Sequence, residues 1–213
     1  MAVKLVGETT ANMLEVESIG AARSCVLPRG AGYAITASTG TMAAALTANS
    51  AFFALRIDPS SPNCAFIDRI RFQFSTVVAF TTPVTSTRRI VVTRGAGAAA
   101  SGGTAITTIA RKSSLDADSE TQASQGGDCR ISTTGALTVT GITFEGADFA
   151  SLSLVHVGNA GGYTENVWEF SESAPLILQP GEVLALRNGA SAMDAAGTWV
   201  GNVQVQWREA PAL

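Results

Sequence analysis

The chain has 213 residues, with 14 Lys and Arg against 17 Asp and Glu, a formal net charge of -3 and only 15% charged residues. Hydrophobic residues make up 46% of the chain and the mean hydropathy is +0.24, so disorder caused by a shortage of apolar side chains is excluded. A pI of about 5.2 argues against a nucleic-acid-binding surface, which needs clustered Lys and Arg. The length fits one large all-β domain.

The sequence also argues against a membrane span and a secretory leader. No charged residue occurs from Gly30 to Leu55, but hydroxyl and amide side chains interrupt this stretch and would be costly in hydrocarbon. It is better explained as a neutral polar surface. The chain start has no apolar run of signal-peptide length before Glu8, so we expect the protein to be made in the cytoplasm without a secretory address.

Apolar and polar residues alternate in two segments with the period of two that a half-buried strand requires. In residues 66–74 we predict that Phe66, Ile70, Phe72 and Phe74 share the core face, opposite two arginines and a glutamine. In residues 199–208, the core face holds two tryptophans and two valines, and the amides face water or a neighbour. Further short strands are predicted at residues 51–57, 88–93, 130–138, 150–157 and 166–171.

Residues 176–186 predict a β-hairpin. Pro180 presets φ at the first corner of the turn, and Gly181 supplies the positive φ that a type II turn needs at the second. No segment combines helical spacing of apolar residues with a convincing cap. We therefore predict an all-β fold, a single antiparallel β-sandwich of jelly-roll type, with its core at about residues 33–209 and residues 1–30 as an N-terminal extension. Residues 94–103, rich in Gly and Ala, and residues 112–128, rich in Ser, Asp and Gln, are its low-complexity loops.

The chemistry of an enzyme or a metal site is missing. His156 is the one histidine and lies in a strand pattern, so we predict a structural role for it and neither a His-based metal site nor a catalytic triad. Cys25, Cys64 and Cys129 are too far apart for a disulfide framework or a metal cluster. We expect them to be buried, with a disulfide between neighbouring copies as the alternative. We predict no cofactor.

One segment has the composition of a sugar-binding or glycosidase cleft. Tyr163 and Trp168 offer rings for stacking, while Glu165 and Glu169 offer carboxylates for acid–base chemistry. However, Trp168 shares a strand face with Phe170, which favours core packing, and Glu169 lies on the opposite face. Glycan binding by Tyr163, Glu165 and Trp168 stays open as an alternative.

Four segments resemble a family of tailed-bacteriophage virion proteins. They are residues 102–106, 129–137, 175–188 and 197–209, within a similarity spread over roughly residues 35–209. The Gln-Pro-Gly-Glu turn and the final Val-Gln-Trp-Arg-Glu strand are the most suggestive pieces. The resemblance implies a β-sandwich structural protein encoded among head and tail genes. It carries no functional residues over, because these are motifs of fold and not of chemistry.

The weakly charged surface and the resemblance together predict a non-enzymatic structural protein of the virion, because the cores of protein interfaces are depleted in charge. Our first expectation is a head decoration or cement protein. It would form a homo-oligomer, with a trimer as one arrangement, on the major capsid protein or other virion proteins. A collar, tail or fibre component and a host-glycan-binding module are the alternatives. The predicted subunit contacts lie in residues 30–50 and 112–128 and comprise Thr36, Thr39, Thr41, Thr47, Asn49, Asp116, Asp118 and Gln122.

Overall fold

The computed structural model describes residues 30–80, 88–154, 161–171 and 174–211. The N-terminal extension, Cys25 and His156 therefore lie outside the described residues. Apart from one 3-10 turn at Ala123–Gln125, the regular elements in these ranges are strands. They are β1 (Ala31–Ser38), β2 (Ala51–Arg56), β3 (Asn63–Val78), β4 (Arg89–Gly97), β5 (Thr104–Ala105), β6 (Ala110–Arg111), β7 (Asp128–Ile131), β8 (Ile142–Phe144), β9 (Ala150–Ser153), β10 (Tyr163–Glu169), β11 (Leu176–Leu178), β12 (Glu182–Asn188) and β13 (Thr198–Pro211).

The strands form two antiparallel sheets that pack against each other, which confirms the predicted all-β sandwich. The first sheet has the order β10-β3-β13-β1-β6, and β11 pairs with the other end of β3. The second sheet has the order β5-β7-β2-β12-β4, and β8 and β9 lie end to end along β4. The principal strands, numbered 1 to 8 in chain order, are β1, β2, β3, β4, the β8/β9 pair, β10, β12 and β13. In this numbering the two sheets have the orders 1-8-3-6 and 2-7-4-5, which is the strand order of a jelly roll.

The core lies between the two sheets and is rich in aromatic side chains. Trp199 is fully buried and its ring lies 5.0 Å from that of Phe74 and 5.5 Å from that of Phe52. At the other end of β13, the ring of the buried Trp207 lies 5.8 Å from that of Tyr33. The predicted core face of β13 is therefore confirmed. Losing one such ring typically costs about 3–5 kcal/mol of stability.

The predicted core face of β3 is correct for Ile70, Phe72 and Phe74 but wrong for Phe66. The register between β3 and β13 shifts between Arg69 and Ile67, so that Asp68 is an extra residue in a β-bulge. The bulge turns Ile67 into the main core and places Phe66 on the other side of the sheet, in a small cluster with Cys64 and Ala210. A count in steps of two fails when it crosses such a bulge.

The predicted turn at Pro180 and Gly181 is correct, but the hairpin is wrong. Gly181 has a φ of 79°, and the Glu182 N–H donates to the Gln179 carbonyl at 2.9 Å. However, β11 pairs with β3 in the first sheet, whereas β12 pairs with β2 and β4 in the second. The turn therefore carries the chain from one sheet to the other. Two apolar runs around a tight turn look the same in a hairpin and at such a corner.

The remaining predicted strands differ from the structure mainly at their ends. The strand predicted at residues 130–138 ends at Ile131; beyond it, the chain follows the edge of β2, where the Leu137 N–H donates to the Ala51 carbonyl at 2.8 Å. The loop predicted at residues 94–103 begins too early, because β4 continues to Gly97. β10 begins three residues earlier than predicted, at Tyr163, and β9 ends at Ser153, with residues 155–157 outside the described ranges.

Candidate functional site

The outward sides of the two sheets differ sharply in exposure. In the second sheet, the outward side chains of Ala54, Val183 and Ala185 are at most 1% exposed. Ala100 and Leu137, from the segments after β4 and β7, pack over this side. Within the described residues, the chain therefore covers the outward side of its second sheet itself, and the first sheet leaves most of its outward side exposed, apart from the buried cluster of Cys64, Phe66 and Ala210.

We call the outward side of the first sheet the open face. Its centre is a row of amides on β13, Asn202, Gln204 and Gln206, which alternate with core residues. Its members across β1, β3, β10 and β13 are Thr36, Ser38, Arg69, Arg71, Gln73, Tyr163, Glu165, Glu169, Asn202, Gln204 and Gln206. All of them are exposed or half-buried.

Hydroxyl and amide groups lie in register across the open face. Asn202 lies between Ser38 and Gln73. It accepts a hydrogen bond from the Ser38 hydroxyl at 2.5 Å, and its amide nitrogen donates to Gln73 at 3.4 Å. Gln204 lies between Thr36 and Arg71, in a shallow depression of about 230 Å³. A second open depression, of about 630 Å³, is lined by Arg69, Glu169 and Gln206 among others. The face thus offers both donors and acceptors.

The charges on the open face occur in pairs. The Arg71 guanidinium donates to both oxygens of Glu165, at 2.7 and 3.1 Å, and Arg69 lies 3.7 Å from Glu169. The hydrogen bond from Arg71 lowers the pKa of the Glu165 carboxyl. A glycosidase acid needs the opposite, a raised carboxyl pKa. Glu165 is therefore suited to an ion pair and not to proton donation at neutral pH.

The structure does not bring Tyr163, Glu165 and Trp168 together on one surface. Side chains alternate along a strand, so Tyr163 and Glu165 point outward, while Trp168 packs against the core between the sheets. The predicted core role of Trp168 and Phe170 is thereby confirmed. Tyr163 is 68% exposed. Of the two aromatic rings among the predicted glycan contacts, only that of Tyr163 points toward a ligand on the open face.

Residues 30–50 form a mixed segment and not a continuous polar surface. Tyr33, Ile35 and Met42 are core residues. Thr39 is buried as well, and its hydroxyl oxygen accepts a hydrogen bond from the Gly201 N–H at 2.9 Å, so Thr39 is not available to a neighbouring subunit. The other four predicted contacts in this segment are exposed: Thr36, Thr41, Thr47 and Asn49. Inward and outward side chains alternate along β1 in this segment. The sequence does not show this alternation clearly, because no charged residue marks the outward positions.

Residues 112–128 fold back onto their own sandwich. Ser119 and Thr121 are buried, and the buried Glu209 of β13 binds the loop from below. Its carboxylate accepts hydrogen bonds from the Ser119 hydroxyl at 2.5 Å, from the Glu120 N–H at 2.9 Å and from the Trp207 indole N–H at 2.9 Å. Glu209 was not identified from the sequence as a buried residue. It lies two residues after Trp207, and side chains two apart on a strand point to the same face, so the alternation could have indicated it.

The start of this loop is held by β1. The Gly32 N–H donates to the Asp116 carboxylate at 3.2 Å, and the Tyr33 hydroxyl donates to the Ala117 carbonyl at 2.9 Å. Burial, together with the nearby Glu209 and Asp116, raises the pKa of Tyr33 to about 12. Asp116 is thus engaged within the chain, whereas Asp118 is exposed and Gln122 is half-buried.

Among the described residues, no three or more His, Cys, Asp or Glu side chains are placed to hold a metal ion. Cys64 and Cys129 are buried, as predicted, and form no disulfide with each other. Burial raises the pKa of both thiols. No helix in the described ranges is long and apolar enough to cross a membrane.

Comparison of the chain with models of known protein families gives no match, and comparison with curated proteins gives none either. The features that point to a function are therefore the open face and the way in which the rest of the sandwich is covered. An amide-rich sheet with paired charges and two open depressions is suited to contact another macromolecule over a broad area, whereas small-molecule sites are usually enclosed and mostly apolar.

Proposed function

We propose that the chain is a non-enzymatic structural protein of a tailed-bacteriophage particle, a head decoration protein that binds the assembled capsid through its open face. The observation that carries this proposal is the contrast between the two sheets: one outward side is buried by the chain's own segments, and the other is exposed over a broad area. The resemblance of four sequence segments to phage virion proteins supports the class of protein, and the open face supports the mode of binding.

The chemistry of the open face suits a contact between proteins. Amide side chains both donate and accept hydrogen bonds, so they can satisfy the polar groups of a partner surface. Arg71 and Glu165 already satisfy each other, and burying a paired charge costs less than burying an isolated one. A protein that binds only the assembled shell adds its binding free energy to the stability of that shell.

A charge placed in the centre of the open face tests the proposal. Gln204 lies directly beside Arg71, so Gln204→Lys would bury an unpaired positive charge next to a second one. We expect binding of this variant to particles stripped of the native protein to fall by at least about tenfold, since a buried unpaired charge costs several kcal/mol. The matched control is Thr140→Lys, on an exposed turn before β8 of the second sheet, outside the open face and the predicted contact segments. Equal binding of both variants would contradict the proposal.

Electron cryomicroscopy of purified particles separates decoration from the collar, tail and fibre alternative. Density for the chain over the capsid lattice supports a decoration protein. Density at the portal or tail alone supports a collar, tail or fibre component instead. The count of copies per particle gives the same distinction without a high-resolution map.

The exposure of Tyr163 favours glycan binding as a second candidate function. Its ring is 68% exposed on the open face, and such rings stack on sugars. A glycan array tests this function directly: Tyr163→Ala should abolish any signal, and Tyr163→Phe should keep it because the ring remains. A signal that survives Tyr163→Ala, or an array without signal, contradicts glycan binding at this site.

A further inference from the structure

The edges of the two sheets are protected unequally. β5 and β6 are two residues long, and β8 and β9 are separated by residues 145–149. Short strands and interruptions of this kind keep sheet edges from pairing with other chains. β10 differs, since it runs for seven continuous residues at the edge of the first sheet. It contains neither Lys nor Pro, the residues that commonly block an edge.

The hydrogen bonds of β10 show which of its backbone groups face outward from the edge. The Phe170 N–H donates to the Asp68 carbonyl at 2.9 Å, and the Thr76 N–H donates to the Gly162 carbonyl at 2.8 Å. Alternate residues of an antiparallel strand bond to the same neighbour, so the even-numbered residues from 162 to 170 bond to β3. The N–H and C=O groups of Tyr163, Glu165, Val167 and Glu169 therefore point away from β3, and no described strand pairs with them.

We propose that β10 pairs antiparallel with β10 of a second copy of the chain, about a two-fold axis at Asn166. The first sheets of the two copies then become one continuous sheet. In this register Tyr163 lies opposite the partner's Glu169, and Glu165 lies opposite the partner's Val167. Each of these pairs brings together residues whose backbone groups face outward, as a ladder requires. The inference goes beyond the proposed capsid binding and does not depend on it.

The charges on β10 favour this register over the two adjacent registers, whose axes would lie at Glu165 and Val167. An axis at Glu165 would place Glu165 opposite its own copy, and an axis at Val167 would place Glu165 opposite the partner's Glu169. Like charges directly opposite each other destabilise a sheet. The axis at Asn166 avoids both repulsions and uses all four outward-facing residues of β10.

The inward side of β10 favours the same arrangement. Trp168 is only half-buried at the open edge, and the axis at Asn166 places it opposite the partner's Thr164, which removes more of the ring from water. Asn166 lies opposite the partner's Asn166, where the two amides can donate to and accept from each other. Pairing would also join the two open faces side by side on one sheet.

A proline at position 167 tests the pairing. The Val167 N–H faces the open edge, so Val167→Pro removes no hydrogen bond to β3, and proline is tolerated where an edge strand faces solvent. We expect the native chain to elute at twice the monomer mass in size-exclusion chromatography with light scattering. Val167→Pro should elute as a monomer with an unchanged circular-dichroism spectrum, and the control Val167→Thr, which keeps the N–H, should stay dimeric. A monomeric native chain, or a dimeric proline variant, would overturn the proposal.

A cysteine pair tests the register even if the proline variant fails to fold. Asn166 would face its own copy in a non-hydrogen-bonded pair, with Cα atoms about 4.5 Å apart, which suits a disulfide. The control Thr164→Cys would lie four residues from its own copy, on the order of 13 Å away. Mild oxidation should cross-link Asn166→Cys but not Thr164→Cys, above the background of the native chain. Cross-linking of Thr164→Cys alone, or of neither variant, would overturn this register.

Discussion

Glu209 is the side chain that joins the loop at residues 112–128 to the last strand. A buried carboxylate is expensive unless several donors surround it, and here a hydroxyl, an indole N–H and a backbone N–H all donate to it. Trp207 thereby gains the hydrogen-bond partner that a buried indole usually finds, whereas the buried indole nitrogen of Trp199 has no partner among the described residues. One carboxylate thus stabilises both the core and the loop.

We predict that Glu209→Ala lowers the free energy of unfolding by about 2–4 kcal/mol, because three buried or half-buried donors lose their acceptor. Urea titration followed by circular dichroism measures this change. The matched control is Asp118→Ala, which removes an exposed carboxylate from the same loop and should change the stability by no more than about 0.5 kcal/mol. If the two variants were equally stable, the three hydrogen bonds to Glu209 would not hold the loop.

At the scale of elements, strands with strong alternation could be predicted from the sequence, and their partners could not. The period of two identified β3 and β13, and the turn residues identified the corner before β12. The bulge at Asp68 escaped prediction because one extra residue leaves the composition of a strand unchanged. The exchange of sheets between β11 and β12 escaped it because their partners lie far away along the chain.

The candidate site could be predicted only in part, for a related reason. The outward orientation of the arginines and amides on β3 and β13 follows from alternation. Which sheet keeps its outward side exposed depends on Ala100 and Leu137 packing across the second sheet. These residues lie in segments rich in Gly, Ala and Thr, whose sequence carries no periodic signal of where they fold.

We predict that deletion of Asp68 leaves the protein folded, with Ile67 still in the core. Without the extra residue β3 alternates regularly, and Arg69 and Ile67 stay opposite Gln206 and Trp207 of β13. The cost should be about 1–3 kcal/mol, because the ion pairs of Asp68 with Arg208 and Lys112 and the acceptor of the Phe170 N–H are lost. Thermal unfolding measures this cost. The control Asp68→Asn keeps the bulge and weakens only the two partly exposed ion pairs, so its cost should stay below about 1 kcal/mol. A deletion variant that fails to fold would show that β3 needs the bulge itself.

At the scale of the whole molecule, the reactivity of the two buried cysteines measures how well the folded chain shields its interior from solvent. Cys64 and Cys129 are at most 2% exposed, and burial raises the pKa of both thiols. The thiolate is the reactive form of cysteine, so a raised thiol pKa and a covered sulfur both slow the reaction with an added reagent. Access to the Cys129 thiol requires the two sheets to separate, and access to the Cys64 thiol requires the small cluster with Phe66 and Ala210 to open.

We predict that a Cys25→Ser variant shows almost no reaction with a thiol reagent in its native state and two reactive thiols per chain after unfolding in denaturant. The rate of native-state reaction should rise with denaturant in parallel with global unfolding. The unfolded variant serves as the control for reagent activity. Rapid native labelling would contradict this prediction and would mean that the sandwich opens locally around Cys64 or Cys129.

The pairing of β1 with β13 decides how the sandwich responds to a pulling force. Ala31 lies opposite Glu209, so the chain enters and leaves the described domain at the same end of two neighbouring antiparallel strands. Tension applied between Gly30 and Pro211 would load the hydrogen bonds of this pair one after another, as in a zipper, and not all at once. The sandwich is therefore mechanically weak along its own chain, and a load-bearing attachment would have to pass through its surface and not through its ends.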